Sequence, residues 1–102
     1  MYDDYIPQPI DISKIVLSDD LIQLVHAVAF NQHELMTNEL KKTNWRFGDS
    51  MSVIERTHPS LMPYDELTDI QKEHYLSTAF SVIKTMLAMG YRIYRDNKTI
   101  IS

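Results

Sequence analysis

Trp45 is the only tryptophan in the chain, and Arg46, Phe47 and Gly48 follow it directly. An indole beside a guanidinium can stack a flat heteroaromatic ring and neutralise phosphates attached to that ring. The same residue can equally serve as core packing between helices, the commoner use of a lone aromatic. Further along, His58-Pro59-Ser60-Leu61-Met62-Pro63-Tyr64-Asp65-Glu66-Leu67 carries an imidazole and a phenol toward the start of a helix. Proline restricts the residue before it, so His58 sits on extended backbone with its side-chain direction constrained. It can donate to a phosphate or carbonyl, or it can hydrogen-bond backbone within the connector. Tyr64 divides the same way, between orienting a ligand and packing, while Asp65 or Asp69 can serve a helix start. The candidate binding residues are therefore Trp45, Arg46, His58 and Tyr64.

Other chemistries are excluded by spacing. His33-Glu34 opens like a zinc-protease HExxH, but Thr37 occupies the place of the second imidazole. His26 and His33 are two helical turns apart, roughly 10.5 Å of rise, too far to share a metal ion. Neither Asp3-Asp4 nor Asp19-Asp20 opens a calcium-binding loop of EF-hand spacing. No nucleophile elbow, glycine-rich phosphate loop or paired carboxylates can be picked out, so no catalytic residue, metal or cofactor is expected. Cysteine is absent, which excludes disulfides and thiol chemistry.

Ten basic against fourteen acidic residues give a formal charge of −4. That balance argues against binding a nucleic-acid polymer, whose affinity rests on cationic charge, and leaves room for a small phosphate-bearing or nucleotide ligand. At 102 residues, 44% apolar and 24% charged, the chain is expected to form a single globular domain, 1–102. No basic leader opens it and no apolar run reaches the ~20 residues of a membrane span, so a soluble cytoplasmic protein is expected.

The elements that must position these residues follow from periodicity. Tyr5-Ile6-Pro7-Gln8-Pro9-Ile10 reads as an extended arm laid over the domain. Ser18 or Asp19 caps a helix over 19–42, with apolar Leu21, Leu24, Val25, Val28, Leu35, Met36 and Leu40 at three- and four-residue steps. From Thr43 to Pro63 there is no helical period. Thr68 or Asp69 caps a second helix with a stripe of Leu76, Ala79, Phe80, Ile83, Met86 and Leu87, ended by Gly90. Lys72 and Lys84 on that helix are expected to lie over apolar surface with their amines in water. Alternation over 91–95 predicts a strand, with 96–97 as a turn into a second at 99–101. The expected class is mainly α (α+β): two long antiparallel helices, an N-terminal arm, a proline-rich connector and one or two short strands.

Taken together, the arm, Asn31, His33 and Glu34, the Asn44-Trp45-Arg46-Phe47-Gly48 segment, the His58-to-Leu67 stretch and Ile83-to-Tyr91 resemble the ryanodine-receptor (RyR) repeat. That module occurs in pairs in the cytoplasmic part of those channels and singly in some bacterial and phage proteins; the chain resembles the single-copy type. It departs from the family pattern at His26, where an acid is usual, at Met36, where tryptophan is usual, and at Asn44, where glycine is usual. In the channels, tryptophans in the cleft of a repeat pair clamp an adenine nucleotide, and Trp45 maps onto a clamping position. Arg46, His58 and Tyr64 join it here on chemistry and proximity in sequence. The resemblance implies a non-enzymatic ligand-binding or sensor module, for a purine nucleotide or nucleotide-derived signal. The competing reading is a protein-interaction or scaffold module without a small ligand. A lone copy of a module that normally pairs implies a homodimer.

Overall fold

The computed structural model describes residues 2–96. Helix α1 (Asp19–Lys42) begins at Ser18, whose Oγ accepts a hydrogen bond from the Leu21 amide at 3.3 Å. Asp19 and Asp20 in its first turn, and Lys41 and Lys42 in its last, complement the helix dipole. The helix stops at a left-handed residue, Asn44, with φ of 69°. The Asn44 amide donates to the Lys41 carbonyl at 3.1 Å and the Trp45 amide to the Leu40 carbonyl at 3.0 Å, the two bonds of a Schellman motif. Asparagine tolerates that conformation better than other residues bearing a side chain, which accounts for its standing in for glycine.

Helix α2 (Asp69–Ala88) starts with a capping box. Thr68 Oγ1 accepts from the Gln71 amide at 3.1 Å, and Gln71 Oε1 accepts from the Thr68 amide at 2.9 Å. It ends in a second Schellman motif, with Gly90 at φ 96° and the Tyr91 amide donating to the Met86 carbonyl at 3.1 Å. The two helices pack on one another. Their core holds Leu17, Leu21, Val25 and Ala29 with Ala79 and Ile83, flanked by half-buried Leu24, Val28, Tyr75, Leu76, Phe80, Leu87 and Ile93. Full burial of a side chain such as Leu21 contributes about 1.5–3 kcal/mol. Two expected core positions are instead exposed, Leu35 and Met86.

Between the helices lie two two-residue strands, β1 (Arg46–Phe47) and β2 (Thr57–His58), paired in parallel with Arg46 opposite Thr57 and Phe47 opposite His58. Ser52 and Thr57 exchange antiparallel bonds of 3.0 Å each and close a tight loop in which Arg56 has φ of 57°. Gly48 is required where β1 leaves this pair, because a Cβ there would stand 2.5 Å from the Thr57 Cβ. A 3₁₀ turn over Tyr64–Glu66 leads into α2.

Two expectations are corrected. Residues 91–95 form no strand among the described residues beyond a single bridged position at Tyr94. The reason lies in the helix stop, which takes the Tyr91 amide for capping, while Ile93 packs on the helix core. The strand expected at 99–101 lies outside the described residues. The arm does not cover the domain: every residue from Tyr2 to Asp11 is exposed, and Tyr5 and Ile6 keep 70% and 75% of their surface open. Chain packing begins at Ile12 and Ile15.

Candidate functional site

The buried residues of α1 are Leu21, Val25, Ala29 and His33, spaced at four throughout. One row of the helix surface thus runs from an apolar core to an imidazole, and its next two steps are Thr37 and Lys41. His33 is 1% exposed. Its Nε2 donates to the Ser60 carbonyl at 2.8 Å, and its ring meets Tyr64 and Tyr75 edge-on with centroids 5.5 and 5.4 Å away. The other ring nitrogen, Nδ1, is buried without a hydrogen-bond partner and stands 3.9 Å from Oε1 of Glu34.

The Ser60 peptide joins two histidines. Its carbonyl accepts from His33, and its amide donates to Nδ1 of His58 at 3.0 Å. His58 therefore has the backbone-bonding role that its position before Pro59 suggested. Burial holds the His58 imidazole below its usual pKa.

Tyr64 stands in an aromatic cluster, edge-on to Phe30, His33 and Tyr75 at 5.7, 5.5 and 6.4 Å. The Lys72 amine lies over its ring at 5.7 Å, and Lys84 lies over Phe80 at the same distance, so both lysines cover aromatic surface as expected. Burial first, then Asp65 and Tyr75, push the Tyr64 phenol above its ordinary pKa. The neighbouring Tyr75 hydroxyl donates to the Met36 sulfur at 3.3 Å, a contact made by the methionine that stands in place of the usual tryptophan.

A cleft of about 340 Å³ opens beside this cluster, lined by His33, Glu34, Thr37 and Lys41 of α1 and by Leu61, Met62 and Pro63 across from them. Apolar walls with a few convergent polar groups are the usual make-up of a small-molecule site. Lys41 forms no ion pair among the described residues. The Schellman motif sets Trp45, half-buried, at the same end of α1 as Lys41, and Arg46 follows it with an exposed side chain.

Of the four residues chosen from sequence, the strand pairing places the Arg46-Phe47 segment beside Thr57-His58, with Trp45 immediately before it. Tyr64 belongs to the cluster around His33 and is linked to His58 only through the Ser60 peptide. Sequence reasoning took His33 and Glu34 only as a failed zinc motif and as part of the family pattern, and it passed over Thr37 and Lys41 as site residues. His33, Thr37 and Lys41 continue the four-residue row that begins at Leu21, and Glu34 stands beside it. A second hollow, about 440 Å³, is lined by Asp20, Gln23, Leu24, Ala27, Ile93, Tyr94 and Arg95. Among the described residues it has no unpartnered buried polar atom on its walls, and the first cleft is the better candidate.

No group of three or more histidines and carboxylates among the described residues is placed to hold a metal ion, and no helix there is long and apolar enough to cross a membrane. The family profile of the RyR domain matches residues 5–95, nearly the whole chain, and the chain belongs to that family. Domains of this family are non-catalytic modules.

Proposed function

We propose that this RyR domain is a binding module for a purine nucleotide or nucleotide-derived signal, held at the C-terminal end of α1. The observation that carries the reading is the cleft lined by Glu34, Thr37, Lys41 and Met62, in which an unpaired cation sits one turn from Trp45. A base lying in the cleft would leave its phosphate toward Lys41, with Trp45 and Arg46 following at the same end of α1. His58 and Tyr64 then act behind the site, through the Ser60 peptide and the aromatic cluster that hold His33.

A thermal-shift screen over mononucleotides, dinucleotides and cyclic nucleotides tests this. A ligand at one hundred times its dissociation constant should stabilise the fold by about 2.7 kcal/mol. Trp45→Ala should keep the fold and lose the shift. No shift with any of these compounds at millimolar concentration would remove the proposal.

A second reading, a self-associating interaction module, draws support from apolar side chains left in water: Tyr5 and Ile6 on the arm, and Val53 and Ile54 on the loop between β1 and β2. Ile54 is 96% exposed. Such clusters favour a partner surface. A homodimer is the form this reading takes, and light scattering that gave a mass near 12.0 kDa would count against it.

A further inference from the structure

The His33 ring has one tautomer compatible with its surroundings. A carbonyl only accepts, so the contact of Nε2 with the Ser60 carbonyl puts the hydrogen of the neutral ring on Nε2. Nδ1 is left as an acceptor, buried and unpartnered. Oε1 of Glu34, on another residue of the cleft wall, is an acceptor too, and 3.9 Å is too long for a direct hydrogen bond between them. Two acceptors with no donor between them form an edge that only a donor pair completes. The far end of the same row carries the unpaired amine of Lys41, eight residues on from His33 and about 12 Å along the helix axis.

We infer that the cleft selects ligands by this edge, taking a group with adjacent N–H donors at the His33–Glu34 end and an anion at the Lys41 end. Among purine nucleotides this is guanine rather than adenine, an assignment that rests on the nucleotide reading above. The Watson–Crick edge of guanine offers N1–H beside a 2-amino group, both donors. Hypoxanthine keeps N1–H and lacks the amino group. Adenine offers one donor beside an acceptor, which would face a carboxylate. A site whose buried polar groups are left unpaired by the wrong ligand discriminates strongly, whereas apolar walls such as Leu61, Met62 and Pro63 accept any flat ring.

Calorimetric titration of the whole chain with GMP, IMP and AMP tests the assignment. GMP should bind at least tenfold more tightly than IMP, and AMP more weakly than either. Glu34 is half-exposed and accepts no hydrogen bond on its carboxylate, so Glu34→Gln should leave the fold intact, as circular dichroism would verify. That variant should lose at least tenfold in GMP affinity and gain relative preference for AMP, because an amide supplies the donor and acceptor that adenine pairs with. Lys41→Met should weaken all three nucleotides alike. Equal affinities for GMP and AMP, unchanged by Glu34→Gln, would overturn the donor-pair assignment and leave nucleotide binding standing. Absence of binding by all three would remove both.

Discussion

Replacing Gly48 by alanine tests the architecture that carries Arg46, Phe47 and His58. The added Cβ would meet the Thr57 Cβ at 2.5 Å and its Cγ2 at 2.9 Å, against about 3.5–4.0 Å for carbon atoms in favourable contact. Neither neighbour can rotate away, since a Cβ is fixed by its backbone and Thr57 is held by its Oγ1 bond to the Ser50 carbonyl at 3.0 Å. Relief must come from the backbone, at the expense of the bond from the Gly48 amide to the His58 carbonyl, already long at 3.4 Å. Overpacking of this kind costs about 1–3 kcal/mol. For a chain of this size each kcal/mol lowers Tm by roughly 4–8 °C. Urea denaturation of Gly48→Ala, followed by Trp45 fluorescence, should move the midpoint down with an unchanged slope. In a Thr57→Gly background, which removes the clashing atoms, the same substitution should cost much less. A loss under about 0.5 kcal/mol in the parent, or an equal loss in both backgrounds, would refute the close approach of these segments.

Three further outcomes follow from single contacts. Thr68→Ala removes the Oγ1 acceptor of the α2 capping box, leaving only the bond from the residue-68 amide to Gln71, and should lower stability by about 1 kcal/mol in urea denaturation. Asn44→Val forces a β-branched residue to φ 69° and should cost roughly 1–2 kcal/mol, whereas Asn44→Gly should leave the denaturation midpoint unchanged or raised. The His58 imidazole has a lower pKa folded than unfolded, so the unfolded chain binds its proton more readily. Its contribution is complete above the unfolded value of about 6.5 and is lost as pH falls below it. Melting temperatures between pH 8 and 5 should decline on the acid side, and His58→Asn should flatten that decline.

Both long helices were legible because their signals are local. Ser18, Thr68 and Gly90 mark boundaries by hydrogen bonds and a left-handed turn that involve only neighbours in sequence. The strands were not legible, since a two-residue strand carries no period, and its pairing depends on Gly48 meeting a threonine nine residues away. Residues 91–95 misled for the opposite reason: they alternate like a strand, but the α2 stop commits the Tyr91 amide first. At the site, Trp45 drew attention by being unique, and His33 was set aside because its zinc motif failed. The row from Leu21 through His33 to Lys41 becomes meaningful only once Ser60 and Leu61 are seen packed across from it.

The most direct test of the binding account is a titration followed by ¹H–¹⁵N correlation spectra of the whole chain with GMP. The account predicts saturable shifts concentrated on the amides of Glu34, Thr37, Lys41, Trp45 and Met62, together with the Trp45 indole N–H. Shifts confined to the hollow around Gln23, Ala27 and Ile93, or no saturable shifts at millimolar nucleotide, would contradict it.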